Sequence, residues 1–214
     1  MLARIIQFPL FLILCGIGFV AMYVPAAHAL AVERYFEART FFYSGTLGLI
    51  LCAMVGLALA SRQVASSGLR QLLAVLGAFA LLPLALAVPF YESLRTTSFL
   101  NAYLEMVSSV TTTGATLFAP ERLSDTLHLW RALVGWLGGL FMWIAAAAIL
   151  APLNLGGFEV TASAEPGQGE ARLPQMAERD PTLRLRRTSR ALVPIYAMLT
   201  ATLWVLLLIL GEDP

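Results

Sequence analysis

Five apolar runs, each about as long as a bilayer is thick, dominate this 214-residue chain: Ile5–Leu30, Phe41–Ala60, Leu69–Phe90, Leu127–Leu153 and Ala191–Leu210. About 20 apolar residues carry a helix across the roughly 30 Å of hydrocarbon. Only 13% of the residues are charged, against about 25% in soluble domains. In lipid a helix satisfies its own backbone, which open loops cannot do. The sequence therefore predicts an all-α integral membrane protein with about five transmembrane helices and one shorter re-entrant element.

Several function classes drop out early. A net charge of +1 leaves no basic face for nucleic acid. No cluster of His, Asp, Glu and Cys has the spacing of metal ligands or of a nucleophile and its base, so neither an enzyme nor a resident cofactor is expected. Cys15 and Cys52 lie inside apolar runs and read as buried free thiols.

Arginine sets the orientation. Arg4 precedes the first run, and Arg62 and Arg70 flank the second connection without an acid. The fourth connection holds Arg172, Arg179, Arg184, Arg186, Arg187 and Arg190, whereas Glu33 and Glu37 balance Arg34 and Arg39 after the first run. Arginine-rich short loops stay cytoplasmic, which puts the N-terminus inside and the C-terminus outside. Arg4, the first run and Ala27-His28-Ala29 imitate a signal peptide. The run is nevertheless longer than the usual 7–15 residue signal core, and reads as a retained helix.

Between the third and fourth runs lies a segment too short to cross. Ser98–Val110 has apolar residues at helical spacing, yet reaches only about 20 Å. Thr111, Thr112 and Thr113 then favour extended backbone, and Gly114 tolerates positive φ. A half-helix, an extended run and a return helix make a re-entrant hairpin. Irregular backbone survives at membrane depth only when buried in protein or lining water. Exposed carbonyls there can replace the hydration shell of a cation, and the half-helix C-terminus adds partial negative charge. Thr111–Ala115 therefore reads as one segment of an ion selectivity filter; the plainer reading is an extramembrane loop with Gly114 as its turn residue.

The pattern helix–TTTGA–helix, followed by Trp130-Arg131-Ala132-Leu133-Val134-Gly135-Trp136-Leu137-Gly138-Gly139, resembles the first pore repeat of the TrkH/KtrB potassium transporters. Arg187–Leu192 and Ile195–Thr200 resemble the opening helix of the second repeat. The resemblance implies one potassium path surrounded by four helix–pore-loop–helix repeats. It implies that Thr111, Thr112, Thr113, Gly114 and Ala115 face the ion. Glu105 would support the filter from behind, with Arg131 as a partner.

It also implies a multi-pass protein of the bacterial inner membrane, in contact with lipid and dimeric as the full-length parent. A cytoplasmic nucleotide-binding regulator of the TrkA kind would be its partner. The implied organisation is a two-helix segment over 1–65, a pore repeat over 66–154, a cytoplasmic linker over 155–189 and the first helix of a second repeat over 190–214. Only one filter segment is present, so the expectation is the N-terminal part of a longer subunit, or a chain that combines with others. The competing reading is a structural or assembly membrane subunit without an ion path.

Smaller features carry packing expectations. Ser44, Gly48, Cys52, Gly56 and Ala60 form a small-residue stripe, and Gly135 and Gly139 a GxxxG pair for packing against the hairpin. Pro83 and Pro89 read as kinks or a helix end. Trp130 suits an interface anchor, and His28 and His128 lie near span ends as interfacial residues. The orientation is testable with reporter fusions. One placed after Pro214 should be extracytoplasmic and one within Leu155–Arg190 cytoplasmic; the reverse pattern would overturn the span count.

Overall fold

The computed structural model describes residues 10–59, 68–146 and 181–211. These residues form helices and connecting turns, with no strand among them. The elements are α1 (Leu10–Ala21), α2 (Tyr23–Ala31), α3 (Tyr35–Leu59), α4 (Gly68–Leu94), α5 (Phe99–Val110), a 3₁₀ turn (Pro120–Arg122), α6 (Asp125–Ala145) and α7 (Pro181–Ile209). Five stretches are long and apolar enough to span: Leu10–Ala31, Tyr35–Leu59, Leu73–Leu94, Asp125–Ala145 and Arg186–Ile209. The helix α5, at 12 residues, is not. The expected termini at Ile5, Ala60 and Leu153, and the linker over 155–180, lie outside the described residues.

Two units are distinct. One comprises α1 to α3, α4 from Leu69, α5 and α6 as far as Gly139; the other comprises the rest of α6 with α7. In the second unit Trp143 and Tyr196 approach at 6.1 Å between ring centroids. The apolar side chains of α7, among them Val193, Met198, Trp204 and Ile209, are exposed. The helix α7 begins at Pro181, ten residues before the expected span, so Arg184–Arg190 is helical.

In the first unit the first span is two helices. Pro25 has no N–H to give Ala21, and its ring crowds that carbonyl, so the ladder breaks at Met22. The span α3 begins at Tyr35, six residues before the apolar run. Its buried line is Ala38, Phe41, Gly45, Gly48 and Gly56, so Gly45 and not Ser44 lies on the packed stripe. A Cβ on Gly45 would lie 2.9 Å from the Phe19 carbonyl, and one on Gly48 would overlap the Phe19 ring.

Neither proline ends α4, which continues through Pro83 and Pro89 to Leu94. Two side chains reach into it from other helices. Tyr103 Oη donates to the Ala80 carbonyl at 3.1 Å. Trp130 Nε1 donates to the Leu86 carbonyl at 3.2 Å. Each acceptor lies one residue after the carbonyl that a proline leaves without its helical donor, Phe79 for Pro83 and Ala85 for Pro89. This is why Trp130 is no interface anchor. It is 0% exposed, with its ring 5.4 Å edge-on from Phe41 and its N–H spent on α4.

The helix α6 carries the hairpin on a glycine face. A Cβ on Gly138 would overlap the Val110 carbonyl, and one on Gly135 would lie 3.4 Å from the Ser109 carbonyl. Gly138, which lies between the expected pair Gly135 and Gly139, thus makes the tightest approach to the hairpin among the described glycines of α6, with Gly135 beside it. Gly138→Ala must push backbone apart and should cost about 1–3 kcal/mol, as overpacking does. Gly135→Ala meets only a tight contact and should cost less. Unfolding of the two variants in detergent checks this order; equal stability would show that the close approach is absent.

Candidate functional site

Ser98 starts α5 by accepting the Asn101 N–H on its hydroxyl at 3.3 Å, from extended backbone (φ −83°, ψ 153°). The other end of α5 is closed by a Schellman motif. The Thr113 N–H donates to the Ser108 carbonyl at 2.9 Å, and the Thr112 N–H to the Ser109 carbonyl at 3.0 Å. That motif needs a left-handed residue at Thr112, whose φ is +55°. Glycine is usual there; a β-branched threonine costs about 1–2 kcal/mol. Gly114 is the second left-handed residue, at φ +76°.

The five expected site residues are contiguous and exposed. Thr111 Oγ1 donates to the Val107 carbonyl at 2.7 Å and pairs with Thr113 Oγ1 at 2.7 Å. Ala115 differs from its neighbours, since its carbonyl accepts the Ser108 hydroxyl at 2.5 Å. Among the described residues no donor reaches the carbonyls of Thr111, Thr112, Thr113 and Gly114. A hypothetical Cβ on Gly114 would touch nothing within 4 Å, so the residue is needed for its φ rather than for space.

Glu105 holds the loop from behind. Its side chain is 1% exposed. Oε2 accepts the Leu117 N–H at 2.9 Å, and Oε1 accepts the Thr116 hydroxyl at 3.0 Å. Arg131 Nε lies 2.8 Å from Oε1, with its side chain 23% exposed. Its N–H is turned off the line to the oxygen, so this contact is an ion pair rather than an aligned hydrogen bond. A buried carboxylate needs such partners, because an unpaired one would cost several kcal/mol, as an order of magnitude. Phe118, behind the same loop, packs 5.6 Å from Phe90.

Around this hairpin the connections meet at one end. The Ser124 hydroxyl donates to Glu37 Oε2 at 2.9 Å, and Arg122 Nη2 donates to the Thr96 carbonyl at 3.3 Å. Arg95 lies over the Phe36 ring at 4.5 Å. The two histidines are apart. His28 Nδ1 lies 3.1 Å from Thr126 Oγ1, and His128 Nε2 donates to the Pro120 carbonyl at 3.0 Å. Among the described residues no group of three His, Cys, Asp or Glu could hold a metal.

No family model and no solved structure matches the chain. Curated proteins do. The Trk system potassium uptake protein TrkI of Halomonas elongata is 42% identical over 86 residues, 40% of this chain and 16% of that protein. TrkH of the same organism is 34% identical over 129 residues, 60% of this chain and 24% of that protein. TrkH of Escherichia coli K12 is 31% identical over 129 residues, 59% of this chain and 25% of that protein. Over these stretches the chain is similar to Trk system potassium uptake proteins. It spans no more than about a quarter of the length of these relatives.

In this chain the structure brings Glu105, Arg131 and the loop together. Two participants and one backbone conformation were not anticipated. Ser108 and Thr116 are ordinary-looking hydroxyl residues whose partners lie seven and eleven positions away, too far for any local pattern to show. The left-handed Thr112 was hidden by its β-branched side chain, which favours extended backbone.

Removing the carboxylate tests the arrangement. Glu105→Ala should destabilise the chain by about 3–5 kcal/mol, the cost of leaving one partner of a buried pair alone. Glu105→Gln should cost less, since its amide oxygen still accepts the Leu117 N–H. Unfolding in detergent measures both. A loss for Glu105→Ala within about 0.5 kcal/mol, the range of neutral surface changes, would show that the carboxylate does not hold the loop.

Proposed function

We propose that this chain contributes one selectivity-filter segment, Thr111–Ala115, to the potassium path of a TrkH-type uptake subunit in the bacterial inner membrane. The observation that carries the reading is the set of open carbonyls over Thr111–Gly114. They lie on exposed, irregular backbone between a helix too short to span and one long enough to do so. Backbone of this kind belongs in a membrane protein only where it meets protein or water. A potassium ion needs several oxygens in place of its hydration shell, and four carbonyls on one segment supply part of that shell. One segment cannot encircle an ion, so other segments must face this one.

The potassium uptake relatives support the cargo, and the arginine bias supports a cytoplasmic N-terminus. Exposed Arg186, Arg187 and Arg190 on α7 suit lipid headgroups or a cytoplasmic regulator of the TrkA kind. A full-length homodimer belongs to the same proposal.

Gly114→Ser tests the filter directly. A side chain at φ +76° is strained by about 1–2 kcal/mol. Relaxing that strain would re-aim the carbonyls. In the complete natural gene that encodes this chain, Gly114→Ser should lower the preference for potassium over sodium while insertion continues. Thr112→Val should do less, because it removes only a hydroxyl. Potassium and sodium uptake are compared in a transport-deficient strain at matched protein levels. An unchanged preference for Gly114→Ser would favour an assembly subunit without its own path.

A further inference from the structure

Resting on the filter reading, we propose that Ser108 is a positioning residue that sets the spacing of the Thr113 and Gly114 carbonyls, and with it the ion preference. Its hydroxyl hydrogen is committed to the Ala115 carbonyl, so the side chain acts on the backbone. Both ends of the short stretch Thr113–Ala115 are tied to this one residue. The Ser108 carbonyl accepts the Thr113 N–H at 2.9 Å, and the Ser108 hydroxyl donates to the Ala115 carbonyl at 2.5 Å. Between those two anchors lie only the Thr113 carbonyl and the Gly114 peptide.

Among the described residues no other hydrogen bond restrains that interval. Gly114 has no side chain, and no atom lies within 4 Å of where its Cβ would be. The Thr111–Thr113 hydroxyl pair fixes side chains rather than carbonyls. Glu105 acts one step further on, at Thr116 and Leu117. The Ser108 carbonyl tie belongs to the helix cap and survives any substitution. The hydroxyl tie does not. Without it the Gly114–Ala115 peptide can rotate, and the Gly114 carbonyl changes its direction toward the ion. Selectivity follows the number and field of the coordinating carbonyls, so it is the quantity that should respond.

The experiment uses the complete natural gene in a strain deficient in potassium uptake, with potassium and sodium uptake measured at matched protein levels. Ser108→Ala should lower the preference for potassium by roughly 3- to 10-fold, the size of one net hydrogen bond. Ser108→Thr, which keeps the hydroxyl, should restore it. A residue that served stability alone would reduce uptake of both ions together and leave their ratio unchanged. An unchanged ratio in Ser108→Ala, beside a changed ratio in Gly114→Ser, overturns the role of Ser108 and leaves the filter standing. Equal loss in Ser108→Ala and Ser108→Thr overturns it as well, because the hydroxyl would then not be what matters. An unchanged ratio in both Ser108→Ala and Gly114→Ser removes the filter and Ser108 together. Should Ser108→Ala fail to accumulate, Ser108→Cys replaces it, with similar size and a weaker donor.

Discussion

A carboxylate closed off from solvent between α5 and α6 is the constraint on which the hairpin depends. Glu105 is nearly wholly buried, and three partners share it: the Leu117 N–H, the Thr116 hydroxyl and Arg131. Two of those belong to the loop and one to the return helix. One side chain thus ties the short helix, the loop and α6 into a single piece. Irregular backbone has no ladder of its own, and here that lack is made good by a charge whose solvation the loop itself supplies.

The same logic runs through the rest of the first unit. Tyr103 and Trp130 donate to backbone carbonyls of α4 from two other helices. These two hydrogen bonds join α4 to the short helix and to α6 with directionality that apolar packing lacks. Glycine gives the complementary effect. Gly138 lets α6 approach the Val110 backbone, and Gly45 and Gly48 let α3 close on Phe19. In surroundings where lipid tails are as apolar as leucine, close backbone approach and hydrogen bonds are the forces left to hold helices together.

Thr112 concentrates the tension between local preference and tertiary demand. Its side chain favours extended backbone, but its position at the end of α5 requires the left-handed region. The strain persists because the Schellman bonds and the Glu105 anchor determine the loop on both sides. The result is a run of exposed backbone whose carbonyls over Thr111–Gly114 receive no donor among the described residues.

Hydropathy alone was enough to establish an all-helical membrane chain, the presence of each span and the inability of Ser98–Val110 to cross, because length against bilayer thickness is a one-dimensional criterion. The residues of the loop and the pairing of Glu105 with Arg131 were also legible, through TTTGA and the glycine-rich helix behind it. What tertiary structure decided was every contact made across sequence distance. The burial of Trp130, the close approach of Gly138 to Val110 and the two ties of Ser108 all depend on which segment faces which. A pattern in sequence reports the period of a helix and the side that is apolar. It does not report which backbone carbonyl lies within reach of a side chain from another helix.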